Sequence, residues 1–348
     1  MKKLDMPGHK GGVMKAWFFI LLTSLLSGPS FAYAAAGASV PGGASFTSRQ
    51  GVDRQAFGQY VAGKMSLAFD GSLADIYPCG NRAVYYCQGL MVTAFEDGES
   101  TYWMDPETRR LSFTYFRKDI ATELFGDAGL VLWPQAYVDH EFPAGDPSHP
   151  FDPAYRCAYP LDGDTDQRLD NGCGQLITTY HPLNANPDTA PCASLGIATA
   201  QQWLNKYGVQ GGTMFCGFTL GSLVDAKGGM DAMTQVAAAL QNHGPFLYPW
   251  NEVVLGPWPS AQAGRIPLMA FFILLQNRNS AGSGASTTSS RDEQPLVIAQ
   301  AQQKRYYDLT NIFVPIIVIS QANSQAVFGY IDGDQAAGLP ELVTVFPQ

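Results

Sequence analysis

The sequence predicts an α+β fold: a single disulfide-stabilised secreted domain with mixed helices and short antiparallel strands. Helical and strand-like apolar spacings are mixed along the chain. Six cysteines, an even number, follow an export-like N-terminus. No linker divides residues 51–348, so we predict one globular domain there, with a flexible Ser/Gly/Thr-rich loop at 280–292.

The N-terminus resembles a secretory signal peptide. Lys15 precedes an apolar run from Ala16 to Ser27, and Ala32-Tyr33-Ala34 follows. We expect residues 1–34 to be removed near Ala34, with Met14 as an alternative start, and residues 35–50 to form a flexible leader. The alternative is a membrane anchor, although this run is shorter than the roughly 20 residues that span a bilayer. The sequence therefore predicts a secreted or periplasmic protein with no membrane span in its mature chain.

The charge of the mature chain excludes one class of partner. Residues 1–34 hold four lysines and one aspartate, so their removal leaves 17 basic and 29 acidic residues, a net charge of −12. Because nucleic-acid binders need a basic face, we expect no nucleic-acid partner. A small anionic ligand remains compatible, since a local site can be positive on an acidic protein.

The cysteines predict disulfides rather than a metal site. They are Cys79, Cys87, Cys157, Cys173, Cys192 and Cys216. Six cysteines allow 15 pairings, and we favour neighbours in sequence: Cys79–Cys87, Cys157–Cys173 and Cys192–Cys216. No C-x-x-C motif occurs and the histidines are scattered, so no zinc site is predicted.

One acidic segment shares its first spacing with a calcium-binding loop. Asp162, Asp164 and Asp166 match that spacing, but Gln167 and Cys173 stand where such a loop needs glycine and glutamate. The alternative is an Asp-capped turn or short helix between two cysteines, and the sequence favours it.

The first half of the chain predicts one helix and then strands. Apolar residues at helical spacing predict a helix over Arg54–Ala68. β-rich segments predict strands over Tyr85–Glu96 and Leu130–Trp133. Strict alternation predicts a half-buried strand over Leu111–Phe116, with Leu111, Phe113 and Tyr115 on one face.

The second half returns to helices and closes with strands. Helical spacing predicts Thr199–Tyr207, capped by Thr199 and ended at Gly208, and also Asp231–Asn242 and Pro295–Leu309. Pro267–Gln276 is apolar all round, which fits either a buried helix or a core strand. Strands are predicted over Phe313–Ile319, Phe328–Ile331 and Leu342–Phe346.

The strongest candidate for chemistry is the segment around Glu252. The chain has no G-x-S-x-G, H-E-x-x-H or P-loop motif. Trp250 and Asn251 precede Glu252, and Trp258 and Arg265 follow it. A carboxylate beside aromatic rings can stabilise an oxocarbenium-like centre while a ring stacks on a heterocycle or sugar. The alternative is that the tryptophans are core residues and Asn251-Glu252 caps or opens a helix.

A second candidate lies at the end of the predicted Leu111–Phe116 strand. Arg117 can hold a phosphate with two parallel hydrogen bonds, and Asp119 is close to it in sequence. The alternative is a surface Arg–Asp pair.

Several segments together resemble the halovibrin-type secreted proteins of Gram-negative bacteria. They are Tyr86-Cys87-Gln-Gly-Leu-Met-Val, Leu111-Ser-Phe-Thr-Tyr-Phe-Arg-Lys-Asp119, Cys157-Ala-Tyr-Pro-Leu-Asp162, Asn171-Gly-Cys-Gly174, Asn251-Glu-Val-Val-Leu and Ile266-Pro-Leu-Met-Ala-Phe-Phe. The resemblance implies a secreted enzyme that acts on NAD, as a glycohydrolase or by transferring ADP-ribose. NAD is then a substrate, and no cofactor is expected.

With an enzyme that acts on NAD as the expectation, we assign roles to the candidate residues ourselves, as a hypothesis. Glu252 becomes the carboxylate that stabilises the ribosyl cation, and Arg117 the binder of the pyrophosphate. Neither Glu-x-Glu nor Gln-x-Glu, patterns typical of many ADP-ribosyltransferases, occurs near Glu252. This absence favours hydrolysis over transfer, although a host or target protein stays open as an acceptor.

Two other functions fit the same residues. One is an extracellular binding or interaction protein without catalysis, which the aromatic content and the missing triad permit. The other is a different type of secreted hydrolase. Nicotinamide release from NAD separates the first hypothesis from both.

Overall fold

The computed structural model describes residues 53–77, 88–95, 102–104, 110–120, 124, 126–141, 150, 153–176, 190–209, 215–220, 223–240, 250–256, 263–276, 295–322 and 325–331. The chain divides between residues 43 and 44, and every described residue belongs to the second unit.

Strands and helices are mixed along the described chain. The strands are β1 (Leu90–Ala94), β2 (Leu111–Phe116), β3 (Ala128–Leu132), β4 (Tyr155–Tyr159), β5 (Phe218–Thr219), β6 (Glu252–Leu255), β7 (Leu268–Gln276), β8 (Ile316–Ala322) and β9 (Gln325–Ile331). The helices are α1 (Arg54–Asp70), α2 (Leu73–Ile76), α3 (Gln135–Glu141), α4 (Leu169–Gly172), α5 (Ala200–Tyr207), α6 (Leu223–Leu240) and α7 (Pro295–Thr310). Short 3-10 turns cover Tyr102–Met104, Thr165–Gln167, Cys192–Leu195 and Ala263–Arg265.

The described strands form one sheet in the order β5-β4-β6-β2-β1-β3-β7-β8-β9. Neighbouring strands are antiparallel except β7 and β8, which are parallel and are connected in sequence through α7. A parallel pair needs such a crossover, because a hairpin cannot join strands that run the same way. Helices and a mainly antiparallel sheet confirm the α+β prediction at that level.

Two hydrophobic cores cover opposite faces of the sheet. The first core joins α5, α6 and α7 to the sheet through residues such as Trp203, Met233 and Tyr306. The second core joins α1, α2 and α3 through residues such as Met65, Leu73 and Tyr137. The sheet is therefore buried on both sides along much of its width, as in a three-layer arrangement.

Alternation along the strands divides the side chains between these cores. In β8, Ile316 and Val318 lie in the first core, whereas Ile317 and Ile319 lie in the second. β7 is divided in the same way, so Pro267–Gln276 is a core strand and not a helix. A strand buried on both faces is apolar all round, which explains why its periodicity was ambiguous.

Local capping sets the ends of two helices. Asp53 accepts hydrogen bonds from the N–H groups of Gln55 and Ala56 at the start of α1. Thr199 and Gln202 form a reciprocal capping box at the start of α5, and Gly208 ends that helix as predicted.

Three sequence predictions need correction. β2 has the predicted bounds, but Phe116 and Thr114 are buried as well, because the α1 side of the sheet is also covered. α6 begins at Leu223, eight residues before the predicted Asp231. Asn251 and Glu252 neither cap nor open a helix, since Glu252 begins β6.

The structure joins Cys157 to Cys173 and Cys192 to Cys216, two of the three favoured pairs. Cys79 and Cys87 lie outside the described residues. So do the predicted signal peptide, the leader at 35–50, the loop at 280–292 and the Leu342–Phe346 strand.

Within the described ranges, no helix combines the length and apolar character needed to cross a membrane.

Candidate functional site

Glu252 lies at the start of β6, on the face of the sheet opposite α5 and α6. β6 pairs with β4 so that Glu252 stands opposite Tyr159, and Val253 opposite Ala158. Val253 and Ala158 belong to the first core, and alternation therefore directs Glu252 and Tyr159 to the other face. Only 8% of Glu252 is exposed, so its carboxylate is largely withdrawn from water.

A loop from Asp162 to Arg168 covers this carboxylate. The N–H of Gly163 donates to Glu252 Oε2 at 2.9 Å. The Thr165 hydroxyl donates to Glu252 Oε1, and Ser112 Oγ lies 2.7 Å from Thr165 Oγ1. Because Thr165 donates its proton to Glu252, Ser112 is the donor in the second bond. Both Glu252 oxygens are therefore held by the loop.

Close approach of the loop requires glycine at position 163. A Cβ placed there would lie 2.6 Å from Cγ of Tyr159 and 2.9 Å from Glu252 Oε2. Both distances are shorter than real Cβ atoms show, so any side chain at 163 would push the loop away from Glu252.

Arg168 fixes the loop from inside the protein. Only 4% of Arg168 is exposed, and its guanidinium donates to the backbone carbonyls of Gly163, Gly174 and Phe215. The same group lies 4.6 Å from the centre of the Tyr159 ring. Hydrogen bonds and a cation–π contact together compensate for burying this charge.

The Cys157–Cys173 disulfide holds the two ends of the loop region together. Its cysteine Cα atoms are 5.7 Å apart, and Cys157 is fully buried. The Tyr159 hydroxyl donates to the carbonyl of Gly172 at 2.8 Å, close to the same disulfide. Asp170 and Asn171 adopt left-handed backbone conformations, which makes α4 a tight turn and not a regular helix.

Asp162 is the second carboxyl group of the site. Burial and, to a smaller extent, the neighbouring charge of Glu252 together raise its pKa to about 7. The N–H of Asp164 donates to Asp162 Oδ1 at 3.0 Å, which acts in the opposite direction. A carboxyl group that titrates near neutral pH can take or give a proton during a reaction.

Arg117 and Asp119 lie on the other side of the sheet. Arg117 forms a two-pronged ion pair with Asp119 and also donates to Gln88 Oε1 at 3.2 Å. Burial raises the pKa of Tyr115, a residue of the first core, to about 12, and the charge of Arg117 partly offsets this rise. The structure thus places Arg117 near the first core and does not bring it to Glu252.

The other residues predicted around Glu252 have different outcomes. Asn251 is fully buried, and its side-chain amide accepts from the N–H of Tyr115 and donates to the carbonyl of Tyr115. The Asn251 side chain therefore extends the β2–β6 pairing, because it makes the two hydrogen bonds with Tyr115 that a backbone peptide group would otherwise make. Trp250 is partly exposed next to it, and Trp258 lies outside the described residues.

Arg265 is remote from Glu252. It ends a 3-10 turn before β7 and is exposed. Three strands separate β6 from β7 in the sheet. At about 4.8 Å per strand, the two strands are roughly 19 Å apart.

The Asp162–Asp166 segment forms a turn of the Asp-capped kind, because Asp162 accepts the N–H of Asp164. Among the described residues, no three His, Cys, Asp or Glu side chains are grouped so that they could hold a metal ion.

Sequence reasoning missed several members of this site. Asp162 was considered only as a calcium ligand or as part of an Asp-capped turn, and Arg110, Thr165 and Arg168 were not considered. Arg110 donates to the carbonyl of Thr165. The one signal in the sequence was the position of Asp162-Gly163 between two cysteines that form a disulfide.

Comparison of the chain with protein-family models, curated proteins and solved structures found no match. The resemblance to the halovibrin-type proteins therefore depends on the sequence segments alone.

Proposed function

We propose that this protein hydrolyses the bond between nicotinamide and ribose in NAD, with Asp162 and Glu252 as its two catalytic carboxyl groups. The observation that carries the proposal is the pair itself. A buried carboxylate stands beside a second carboxyl group whose pKa lies at about 7. Glycosidic bonds are commonly cleaved by two carboxyl groups with different protonation states.

The two groups have different tasks in the proposed reaction. Nicotinamide leaves with the electrons of the C–N bond, and positive charge develops on the ribose. The Glu252 carboxylate stabilises that charge through space. Water then attacks the anomeric carbon and gives its proton to the Asp162 carboxylate, so that ADP-ribose and nicotinamide are the products.

In this proposal Arg110 replaces Arg117 as the basic residue near the reaction. Arg110 is partly exposed and reaches the carbonyl of Thr165, whose hydroxyl donates to Glu252. Arg117 is already engaged by Asp119 on the opposite side of the sheet. A phosphate bound near Glu252 would therefore meet Arg110.

One observation favours a second function, that of a binding protein without catalysis. Each Glu252 oxygen already accepts a hydrogen bond from the loop. A carboxylate engaged in this way can serve to hold Gly163 and Thr165 in place, and binding would then use the outer surface of the loop.

Nicotinamide release from NAD by the purified, oxidised protein tests the proposal. Release in water alone supports the glycohydrolase, and release only with an added acceptor protein indicates ADP-ribosyl transfer. No release in either case contradicts the proposal and favours the binding function.

A further inference from the structure

A second group of ionisable side chains lies on the opposite side of the molecule from α5 and α6. It consists of Tyr60 and Lys64 from α1, Tyr77 directly after α2, and Tyr137 and Glu141 from α3. We call it the tyrosine–lysine cluster. The three tyrosines belong to the second core or pack against it, whereas the Glu252 site is formed by β4, β6 and the loop from Asp162 to Arg168.

Hydrogen bonds join the members of the cluster into a chain. Lys64 Nζ donates to the Tyr77 hydroxyl at 3.1 Å, and that hydroxyl donates to Glu141 Oε1 at 3.4 Å. The hydroxyls of Tyr60 and Tyr137 lie 3.0 Å apart. The chain offers a route by which a proton can pass from the amine through a phenol to a carboxylate.

The amine of Lys64 lies over the faces of two tyrosine rings. Its Nζ lies 5.3 Å from the centre of the Tyr60 ring and 4.8 Å from that of Tyr77. Lys64 is partly buried, and loss of hydration lowers its pKa, although the charge of Glu141 opposes this change. The ring faces favour any cation at this position, whether it is an ammonium or an iminium.

Two charged or ionisable groups of this region are in contact with water. The side chain of Glu141 is 25% exposed and that of His140 is 60% exposed. His140 Nδ1 lies 3.3 Å from Glu141 Oε1, and its ring stands edge-on to Tyr77 at 5.0 Å. Glu141 thus connects the amine, through Tyr77, with groups that are in contact with water.

We propose that Lys64 forms a second reactive site, which binds aldehydes or ketones covalently as a protonated imine. The amine nitrogen attacks the carbonyl carbon, and the carbonyl oxygen leaves as water. Starting from the ammonium form, two of its three protons end in that water and one stays on the iminium nitrogen. The total charge is unchanged, and no oxidant or reductant takes part.

The surrounding groups have defined tasks in this step. Glu141 accepts a proton from the ammonium through Tyr77 and so exposes the nitrogen lone pair. The same relay returns the proton when the hydroxyl of the carbinolamine departs as water. The rings of Tyr60 and Tyr77 face the cation both before and after the reaction.

The test is trapping with glycolaldehyde and cyanoborohydride, followed by peptide mapping of the oxidised full-length protein. We expect Lys64 to be labelled several-fold faster than Lys118 or Lys304, whose side chains are 48% and 75% exposed. Exposure alone predicts the reverse order. Labelling of Lys64 at or below the rate of Lys304 would overturn the proposal.

Two variants test the relay itself. Tyr77→Phe and Glu141→Gln should each reduce labelling at Lys64 several-fold and leave labelling at Lys304 unchanged. Because Glu141 is partly exposed, its replacement keeps the core intact even if the buried Tyr77 variant folds poorly. The matched control is Asp308→Asn, which removes the carboxylate beside Lys304 and should not affect Lys64. Unchanged labelling of Lys64 in Glu141→Gln would also overturn the proposal.

Discussion

Asp162 is the residue that connects stability with chemistry at the candidate site. Its pKa rises from the ordinary value of 3.8 to about 7 because the carboxyl group has lost much of its hydration and lies near the charge of Glu252. Between pH 3.8 and about pH 7, the folded protein therefore holds a proton on Asp162 that the unfolded chain has already lost. Both the free energy of unfolding and the proposed reaction should depend on that proton.

Replacing Asp162 with Asn should change how stability depends on pH. Between pH 3.8 and about pH 7 the native state binds more protons than the unfolded state. The free energy of unfolding therefore falls as the pH rises through this range, and the contribution of Asp162 to stability is lost. Urea unfolding at about pH 5 and about pH 8 measures this dependence. We expect wild type to lose at least about 1 kcal/mol more than Asp162→Asn, since one pKa unit corresponds to about 1.4 kcal/mol. Equal losses would show that Asp162 titrates normally.

The same group should control the rate of NAD hydrolysis. If the Asp162 carboxylate accepts a proton from water, kcat/KM should rise with pH and level off above a midpoint of about 7. Asp162→Asn should lower kcat/KM by at least about 100-fold and remove this rise. A profile with the same midpoint in the variant would assign the titration to another group.

Gly163 makes a third prediction at the residue scale. Gly163→Ala should destabilise the protein by about 1–3 kcal/mol, because its methyl group would overlap Tyr159 and Glu252. Gly63 on α1 is the matched control, since a Cβ there meets nothing within 4 Å. Gly63→Ala should be neutral or slightly stabilising, as expected for alanine within a helix. Thermal unfolding of the two variants measures the contrast, and equal effects would contradict the close approach at Gly163.

Among the elements, the loop between β4 and α4 is the part that assembles the site. Gly163 and Thr165 reach Glu252 only because Arg168 and the Cys157–Cys173 disulfide fix the loop on the sheet. The partners of Glu252 are 87 and 89 residues away in sequence. Contacts over such distances follow from strand pairing and leave no local pattern.

Removal of each disulfide should therefore have a different effect on activity. Replacing both cysteines of either pair with serine should cost about 3 kcal/mol of stability, because each bond closes a loop of similar length. Only the Cys157/Cys173 replacement should also abolish NAD cleavage below the unfolding temperature, since its loop contains Gly163 and Thr165. The Cys192/Cys216 replacement is the control. Equal activity losses in the two variants would contradict a special role for the first disulfide.

Some elements could be predicted from the sequence because their signals are local. The bounds of β2 follow from its alternation, and those of α5 follow from the Thr199–Gln202 capping box and Gly208. The start of α6 could not be predicted, because glycines 228 and 229 weaken the helical pattern. A Cβ at Gly229 would lie 2.6 Å from Leu220 and 2.9 Å from the carbonyl of Thr219. That glycine therefore permits the approach of β5, which is a tertiary requirement.

The sequence singled out Glu252 as a candidate, but it did not predict the strand and the neighbours that surround this residue. The segment Glu-Val-Val-Leu is too short to show alternation, and all four residues of β6 are buried. Asn251 resembled a helix cap, whereas its side chain pairs with the backbone of β2. The missed strand and the helix-cap interpretation of Asn251 have one physical cause. The segment is a central strand, and its neighbours come from distant parts of the chain.

At the scale of the whole molecule, the sheet separates the groups that sequence reasoning had combined. Glu252 faces the loop on one side, whereas Arg117 stands near the first core on the other. A central sheet that is covered on both faces keeps residues on its two sides apart. For this reason the proposed hydrolase uses Asp162, Glu252 and Arg110 and does not use Arg117. The tyrosine–lysine cluster lies on the same side of the sheet as Glu252, next to α1, α2 and α3, and takes no part in the proposed hydrolysis.

The measurement that tests the central claim most directly is kcat/KM for nicotinamide release from NAD by wild type and Glu252→Gln. The account predicts measurable release by wild type and a loss of at least about 100-fold in the variant, because the developing positive charge loses its carboxylate. Asp308→Asn, which changes an exposed carboxylate on α7, should retain wild-type activity. Wild-type turnover in a folded Glu252→Gln protein, or no turnover in wild type, would contradict the account.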